Sequence, residues 1–493
     1  MKQLFLFTIN LSLFVSIFAP NNAFSSTHNA RFDSTALDAF IVSQMNKHNL
    51  PGVAVTITQG DEILYAKGFG KASGNALMTH NTPMYIGSLS KSFTALAIMQ
   101  LYENGELDID LPVSTYLPSF TISDPLATET ITIRNLLNHT SGLSDFGYVP
   151  KHSDTITIQQ SITYLTEAKL TAPIGSVFQY FNPNYSILGA IVEKVSGLSY
   201  GEYVEKYIFN PLKMNNSYTY VADAEAAGLA QGYGSFFGFS VARSQPFRSY
   251  DVPSGYLMMS VSDLSKYLRA QLNKEEFEGV RVLSEQGIEE MQSPPAGLET
   301  RYGIGWFIYE KNGVRMIEHG GTNEYFHTAG IMLSKQDITI AILINKNSII
   351  HALFSHPEMN NGVVSITLGQ TPSPGGISTR LIGHLLLVGL CVHIYLSIST
   401  MRKLQGWLKR FVNKSTLARW VDIGSHFFFP IAILTFLPIL FSTFLQRGFS
   451  WRTGFTSIPD GILWLLVGIF FDVTQGISKL IILLRNRSAV KST

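Results

Sequence analysis

The C-terminal quarter of this chain contains three long apolar segments, at residues 381–399, 424–445 and 462–484. At about 1.5 Å per residue in a helix, each segment is long enough to cross a hydrocarbon layer of roughly 30 Å. Inside lipid, a segment of this length must satisfy its own backbone hydrogen bonds, which a helix does. We therefore predict three C-terminal transmembrane helices, which leaves the residues before them for a water-exposed domain.

The composition agrees with a chain that is partly embedded in a membrane. Only 14% of the 493 residues are charged and 46% are hydrophobic, whereas about 25% of a typical soluble domain is charged. Lys plus Arg (36) nearly balance Asp plus Glu (35), so no global field attracts nucleic acid, and we expect none as a partner. The single cysteine, Cys391, excludes an intrachain disulfide.

The third apolar segment differs from the other two because Asp472, Gln475 and Lys479 interrupt it. Their spacing places them on one face of a helix, which could pack against the neighbouring helices while the opposite face meets lipid. The alternative is a half-buried helix at the membrane interface. The spacing therefore predicts a transmembrane helix with a polar side.

Charge placement predicts the orientation of these helices. The loop at residues 401–420 contains six basic and no acidic residues, which marks it as cytoplasmic. At the N-terminus, residues 1–25 combine Lys2, an apolar stretch and small residues near position 25, as a secretory signal peptide does. An uncleaved N-terminal anchor is the alternative. Both patterns predict a catalytic domain outside the cytoplasm and a multi-pass protein of the cell membrane.

Between the signal and a Pro- and Gly-rich linker at residues 371–380, residues 26–370 are expected to form one domain. Short β-rich runs at 53–58 and 63–66 precede an amphipathic helix at 90–103. Further strands are predicted at 304–309, 314–318, 328–333 and 338–344. We predict an α/β (α+β) fold in which both ends of the domain form one antiparallel sheet and a helical lobe is inserted between them.

The tetrad Ser88-Leu89-Ser90-Lys91 places a hydroxyl and an amine three residues apart at the start of the predicted helix. Side chains at this spacing lie on one face of a helix, so the amine could take the proton of the hydroxyl. The same spacing recurs at Ser488-Ala489-Val490-Lys491 in the C-terminal tail. The tetrad therefore predicts a nucleophile only together with further motifs.

Three further motifs follow in order: the stretch from Leu136 to Leu143 (Leu-Leu-Asn-His-Thr-Ser-Gly-Leu), then Tyr180-Phe181-Asn182, then His319-Gly320-Gly321. With the tetrad, they closely resemble the serine β-lactamase and penicillin-binding superfamily, within it the class C β-lactamase, DD-peptidase and esterase branch. The resemblance covers about residues 30–345. It implies a β-lactamase/transpeptidase-like fold and chemistry through an acyl-serine.

The resemblance also implies roles for individual residues. Ser88 corresponds to the acylated nucleophile and Lys91 to its partner base. Tyr180 corresponds to the residue that shuttles a proton, and Asn182 to one that contacts the substrate. A lysine acts as a base only when its amine is neutral, which requires a desolvated site or neighbouring positive charge. No metal or other cofactor is expected. The stretch from Leu136 to Leu143 is expected to be structural.

The third motif departs from the β-lactamase pattern. His319, Gly320 and Gly321 stand where β-lactamases have Lys-Thr-Gly, and the backbone N–H groups of Ser88 and Thr322 are expected to form the oxyanion hole. His319, expected to bind substrate, is mostly neutral near pH 7, unlike a lysine that attracts a substrate carboxylate. Efficient β-lactam hydrolysis is therefore not implied. The sequence shows no dedicated carboxylate base for deacylation.

These patterns predict a membrane-anchored, extracytoplasmic serine hydrolase that acts on an amide or ester. A cell-wall D-alanyl peptide, a D-alanyl ester or a short-chain ester is the expected substrate, and membrane lipid the expected surrounding of the C-terminal helices. Three alternatives remain: a penicillin-binding sensor with little turnover, a true class C-like β-lactamase, and transport through the three helices. The sequence leaves the oligomeric state open.

Overall fold

The computed structural model describes residues 32–148, 154–273, 279–311, 313–407, 415–445 and 451–485. The predicted signal peptide at residues 1–25, part of the basic loop and the tail that repeats the tetrad spacing lie outside the described residues. The boundaries predicted for the domain at 26–370 and for the linker remain predictions.

The described strands and helices are as follows. The strands are β1 Gly52–Gln59, β2 Glu62–Ser73, β3 Ala76–Leu77, β4 Met84–Tyr85, β5 Ser217–Tyr218, β6 Gly232–Phe236, β7 Phe239–Arg243, β8 Met258–Met259, β9 Phe307–Lys311, β10 Val314–Thr322, β11 His327–Leu333 and β12 Ile338–Ile344. The α-helices are α1 Ser34–His48, α2 Ser90–Glu103, α3 Val113–Tyr116, α4 Pro125–Thr130, α5 Ile133–Leu137, α6 Ile158–Thr163, α7 Asn182–Ser196, α8 Tyr200–Val204, α9 Val221–Ala226, α10 Val261–Leu272, α11 Glu285–Met291, α12 His356–Thr367, α13 Thr379–Arg402, α14 Thr416–Leu445, α15 Trp451–Ser457 and α16 Pro459–Arg485.

One antiparallel sheet joins the two ends of the domain. Its strand order is β3-β2-β1-β12-β11-β10-β9, so the first strands of the chain lie next to the last. The seam is the pairing of β1 with β12, which runs from Val53 opposite Ile344 to Gln59 opposite Ile338. Most of the helices lie between these two groups of strands in the sequence. The predicted fold class, an antiparallel sheet closed by both ends with an inserted helical lobe, is confirmed.

Strand β12 shows why the sheet lies inside the molecule. All seven of its residues are buried. Ile338, Ile340 and their alternate neighbours pack with helices α1 and α12 on one face, whereas Ala341 and Leu343 join the core of the helical lobe on the other. A strand that is covered on both faces needs a continuous apolar run, as this one has.

Helix α2 is the central helix of the lobe. Every residue from Ser90 to Met99 is buried. Its small polar side chains are satisfied locally, because Ser90 Oγ donates to Gly87 O at 2.8 Å and Ser92 Oγ donates to Leu89 O at 2.8 Å. Three of the first five residues of α2 carry hydroxyl groups. The helix can be buried in protein because such hydroxyls are hydrogen-bonded to nearby backbone carbonyls.

Three C-terminal helices are long and apolar enough to cross a membrane. They are α13, α14 and α16, with mean hydropathies of 2.1, 1.9 and 1.7. The polar side predicted for the third segment faces α14: Lys479 Nζ donates to Asp422 Oδ2 at 2.6 Å and lies 2.8 Å from His426 Nε2. Asp472 of the same segment also lies near α14, with its Oδ1 3.4 Å from His426 Nδ1, so two of the three polar residues contact the neighbouring helix.

Polar contacts connect this helical region to the domain that precedes it. His48 Nδ1 lies 3.1 Å from Thr379 Oγ1 at the start of α13. In the turn between β6 and β7, Phe237 N donates to Asp460 Oδ1 at 2.9 Å, at the start of α16. The ends of α13 and α16 that face the domain are therefore held by specific side chains.

Candidate active site

Ser88 lies at a sharp turn directly before α2. Residues Gly87–Leu89 form one 3₁₀ turn that leads into the helix, and Ser88 itself is half-buried. The turn requires a glycine at its first position, because Gly87 has φ +55°. The hydroxyl of Ser88 is thereby presented at the N-terminal end of a buried helix.

Lys91 lies one turn further along and is fully buried. Its Nζ donates to Ser88 Oγ at 3.3 Å, to Asn182 Oδ1 at 2.8 Å and to the backbone oxygen of Ser254 at 2.6 Å. All three acceptors are neutral oxygens. The structure therefore aims the amine at the nucleophile in a desolvated setting, which is the arrangement that a lysine base requires.

Ser254 and Asp251 belong to this site although the sequence did not reveal them. Ser254 lies in a single π-helical turn, Val252–Tyr256, and its hydroxyl donates to Asp251 Oδ1, which also accepts from Ser186 Oγ at 3.3 Å. Burial raises the pKa of Asp251, although the Ser254 hydrogen bond and the charge of Lys91 oppose the rise. This carboxyl holds the turn whose carbonyl binds Lys91.

Tyr180 is held against Lys91 by aromatic packing. Lys91 Nζ lies 4.9 Å from the centroid of the Tyr180 ring, and the ring of His139 lies 4.4 Å from it on centroids. His139 has φ +55° and its Nδ1 accepts from the Phe181 N–H at 3.3 Å. The stretch from Leu136 to Leu143 therefore contributes a positioning contact to Tyr180, in agreement with the structural role expected for it.

Strand β10 passes unusually close to the nucleophile turn. A Cβ placed on Gly321 would lie 1.8 Å from Ile86 O, and one on Gly87 would lie 2.4 Å from Thr322 N. The backbones of the two segments can approach this far only because both residues are glycine. The backbone of Thr322 therefore lies next to Gly87, the residue before Ser88. This fits the oxyanion hole expected from the N–H groups of Ser88 and Thr322.

His319 belongs to this strand and is only 2% exposed. Its Nδ1 lies 2.6 Å from Gly320 O, and its Nε2 lies 3.3 Å from Tyr302 Oη. A carbonyl can only accept, so Nδ1 carries the proton and Nε2 accepts from the Tyr302 hydroxyl. Burial and the nearby charge of Lys91 lower the pKa of His319 to about 3. The imidazole is neutral, as expected, and both of its nitrogens are bonded within the protein.

The structure thus brings Ser88, Lys91, Tyr180 and Asn182 together, with the backbone of Gly321 and Thr322 beside them. Gly320 and Thr322 are exposed at the edge of the site, whereas His319 is turned inward. Ser254, Asp251 and Tyr302 were not identified from the sequence. The carbonyl of Ser254, for example, lies 163 residues from Lys91 and leaves no motif near the tetrad.

Among the described residues, no group of three or more His, Cys, Asp or Glu side chains could hold a metal ion.

Curated relatives are similar to this chain over only part of their length. "Protein flp" of Staphylococcus aureus (strain MW2) is 29% identical over 321 residues, which are 63% of this chain and 63% of that protein. The chain therefore spans just under two thirds of the length of this relative. "Penicillin-binding protein 4" of Amycolatopsis lactamdurans is 28% identical over 293 residues, which are 56% of this chain and 76% of that protein.

Solved structures show the same fold. The octameric penicillin-binding protein homologue from Pyrococcus abyssi superposes with a TM-score of 0.61 at 30% identity and covers 70% of this chain and 79% of its own. A D-stereospecific amidohydrolase from Streptomyces sp. superposes with a TM-score of 0.53 at 23% identity, covering 64% of this chain and 94% of its own. At this lower identity, the second comparison shows the fold alone.

A profile of the family described as Beta-lactamase matches residues 37–355. That match covers well over half of the chain, and it contains the nucleophile turn, Lys91, Tyr180 and the glycines of β10. It also agrees with the antiparallel sheet and the inserted helical lobe. The chain belongs to the Beta-lactamase family, within the superfamily of serine β-lactamases and penicillin-binding proteins.

Proposed function

We propose that this protein is a membrane-anchored serine hydrolase that acts outside the cytoplasm through an acyl-Ser88 intermediate. The observation that carries the proposal is the buried amine of Lys91, 3.3 Å from Ser88 Oγ and bonded otherwise to two neutral oxygens, Asn182 Oδ1 and Ser254 O. Membership of the Beta-lactamase family supports serine hydrolase chemistry in general. An amide or ester of a D-alanyl group is the proposed substrate.

The geometry supports acylation by a short relay. Ser88 Oγ attacks the carbonyl carbon while Lys91 takes its proton. The N–H groups of Ser88 and Thr322 stabilise the tetrahedral oxyanion, a contribution worth about 3 kcal/mol per donor. Tyr180, whose ring lies over Lys91, passes a proton to the leaving group.

The same groups are the best candidates for deacylation. The carboxyl that lies nearest to them in the hydrogen-bond network, Asp251, is bonded to Ser254 and Ser186 behind Lys91. It therefore supports the turn rather than an attacking water. Lys91 and Tyr180 can act in the reverse sense on a water or on another acceptor, since proton transfers in acylation and deacylation are mirror images.

One comparison supports a D-alanyl substrate, because one relative is named a penicillin-binding protein. The membrane anchor is supported by the three apolar helices. The extracytoplasmic location rests on the basic loop at residues 401–420.

The proposal is tested by labelling intact cells with a membrane-impermeant fluorophosphonate and with a fluorescent penicillin. We expect both probes to label the wild-type chain and neither to label Ser88→Ala. Ser488→Ala is the matched control, because it removes the serine of the second S-x-x-K spacing, and it should be labelled like the wild type.

The outcomes separate the parts of the proposal. Undiminished labelling of Ser88→Ala would contradict the assignment of the nucleophile. Labelling only after the cells are permeabilised would contradict the location but not the chemistry. A stable acyl-enzyme without turnover of any D-alanyl compound would indicate a penicillin-binding sensor instead.

A further inference from the structure

The hairpin of β6 and β7 reaches the first of the three C-terminal apolar helices. A Cβ on Gly238, in its turn, would lie 2.5 Å from Arg380 O, and one on Gly383 would lie 2.0 Å from Gly238 N. Gly238 also has φ +84°, so the close approach and the backbone conformation both require a glycine there. The turn of the hairpin is therefore packed directly on the first turns of α13.

The position of Phe239 shows how far along α13 the hairpin reaches. Its ring lies 5.3 Å, on centroids, from the ring of His384 on that helix, and the residue is 54% exposed. The apolar segment of α13 begins at Leu381, so His384 lies about 4.5 Å inside it along the helix axis. Where α13 enters a membrane, the ring of Phe239 therefore lies at the boundary between water and lipid.

Two further exposed apolar side chains lie near the start of α13. Leu353, which is 60% exposed, follows by two residues His351, whose Nε2 lies 3.2 Å from Thr379 Oγ1 in the first residue of the helix. Ile377 is also exposed and precedes Thr379 by two residues. Phe239, Leu353 and Ile377 thus come from three separate segments and meet at one helix end, and we call them the basal patch.

The charges beside the basal patch suit a lipid surface. Arg380, in the first turn of α13, is exposed. Asp460 is buried and accepts a hydrogen bond from Phe237 N at 2.9 Å, and Glu358 pairs with Lys47 at 2.6 Å. An exposed cation therefore lies at the level of the lipid phosphates, which attract basic side chains, whereas these two acidic groups are engaged within the protein.

The patch also continues into a surface of α13 that faces away from the protein. Leu381 and Leu385 are exposed, and their spacing of four residues places them on one face of the helix. An exposed apolar face on a helix that crosses a membrane meets lipid. This continuity favours lipid over a second copy of the chain as the occupant of the basal patch.

From this placement we infer that the base of the hydrolase domain binds the lipid surface itself. Phe239, Leu353 and Ile377 enter the interfacial layer of the leaflet in which α13 begins, and Arg380 contacts lipid phosphate. Apolar side chains at that depth are stabilised because they leave water, and aromatic rings are enriched at membrane interfaces. The inference rests on the membrane anchor of the proposed function, and it adds a second attachment that holds the domain on the bilayer.

The experiment places one fluorescent label at a time on the full chain. The single cysteine of the chain, Cys391, is exposed on α13, so Cys391→Ala provides a background without cysteine. Phe239→Cys and Leu353→Cys, each in that background, are labelled with an environment-sensitive fluorophore and placed, one chain per disc, in nanodiscs of phosphatidylcholine and phosphatidylglycerol. We expect lipid that is spin-labelled near its headgroup to quench at least about half of the fluorescence of both labels, since interfacial groups lie roughly 5–10 Å into the boundary of headgroups and acyl chains.

Ile63→Cys in the same background is the matched control, because Ile63 is 57% exposed, much like Phe239. Asn49, just before β1, donates through Nδ2 to Gly238 O at 3.0 Å, whereas Ile63 pairs with Thr58 near the other end of that strand, about 20 Å away. A label at position 63 should keep nearly all of its fluorescence. Quenching at positions 239 and 353 that is no stronger than at position 63 would overturn the inference.

Two other outcomes would also overturn it. Labels that are shielded from water but not quenched by lipid would show that protein covers the basal patch. Shielding that arises only in discs with two chains would indicate a second copy instead.

A label on the natural Cys391 tests the anchor separately, with lipid that is spin-labelled near the end of its acyl chain. Quenching at position 391 without quenching at positions 239 and 353 would remove only the inference. An unquenched label at position 391 would contradict the membrane anchor of the proposed function.

Discussion

At the scale of single residues, the site depends on a lysine that is buried without a carboxylate among its hydrogen-bond acceptors. Lys91 donates to Asn182 Oδ1 and to Ser254 O, which both hold the amine in place without neutralising a charge. An ion pair at this position would favour the protonated amine and oppose its action as a base. The direct acceptors of the amine are uncharged, and the carboxyl of Asp251 is bonded to Ser254 rather than to Lys91.

If Lys91 is the general base, two substitutions at position 91 should both impair acylation. Lys91→Met should lower the rate of acylation by about 10²- to 10⁴-fold, because the general base is lost. Lys91→Arg should be similarly impaired, since a guanidinium keeps the charge but does not give up its proton in a protein. Stopped-flow acylation by an activated D-alanyl ester measures both rates. Near-normal acylation by the arginine variant would mean that position 91 supplies charge and not basicity.

At the scale of elements, the site is assembled by the approach of β10 to the turn before α2. The contact joins Gly321 to Ile86 and Gly87 to Thr322. Neither segment alone contains an oxyanion hole, because each supplies one N–H group. The two glycines therefore contribute to catalysis through the backbone distance that they allow.

We expect Gly321→Ala to disrupt this approach, because its Cβ would lie 1.8 Å from Ile86 O. Either β10 or the nucleophile turn must move, which should lower kcat by more than about tenfold and lower the melting temperature. Gly320→Ala is the matched control for stability, since the nearest atom to its Cβ would be 3.8 Å away. Thermal unfolding of the two variants should therefore differ clearly. Equal melting temperatures and an unchanged kcat for Gly321→Ala would show that the contact is looser than described.

Two elements have the bounds that the sequence predicts. Strand β12 is an unbroken apolar run because it is buried on both faces, and helix α2 has apolar residues at helical spacing. Strand β2 was predicted only to residue 66 but runs to Ser73. Its second half contains Gly68 and Gly70, which carry no apolar signal and are required where Met78 O and Pro51 O lie within 2.4 Å of a built Cβ.

The start of one predicted strand was wrong because buried apolar residues precede it in a loop. The strand predicted at 304–309 begins only at Phe307. Ile304 and Trp306 are buried in a loop whose Ile304 N–H donates to Met291 O at 2.9 Å. These two residues are hydrophobic because they belong to the core, and they do not take part in strand hydrogen bonds.

In the active site, motif spacing revealed the side chains near the tetrad. It did not reveal Tyr302, whose hydroxyl bonds to His319.

At the scale of the whole molecule, the C-terminal helices form a packed group that contacts the hydrolase domain. The side chain of Lys479 on α16 bonds to Asp422 and His426 on α14, and His426 Nδ1 lies 3.4 Å from Asp472 Oδ1. Trp464 Nε1 on α16 donates to His393 Nδ1 on α13 at 2.7 Å. Polar groups within apolar helices are costly unless they are paired, so these bonds fix which helix faces meet.

The ion pair between Lys479 and Asp422 makes a testable contribution to this packing. Lys479→Leu leaves the Asp422 carboxylate, which otherwise accepts from Trp407 Nε1 at 3.0 Å, without its counter-charge. Breaking a buried pair on one side costs about 3 kcal/mol, whereas replacing both partners by apolar residues is often nearly neutral. We therefore expect Lys479→Leu to lower the unfolding free energy of the full chain in detergent micelles, and Lys479→Leu/Asp422→Leu to restore most of it. A double variant as unstable as the single one would show that the two side chains are not coupled.

The same double variant also tests whether the anchor is separate from the catalytic site. Because Ser88 and Lys91 lie outside these helices, turnover of a water-soluble D-alanyl ester should stay unchanged in the double variant.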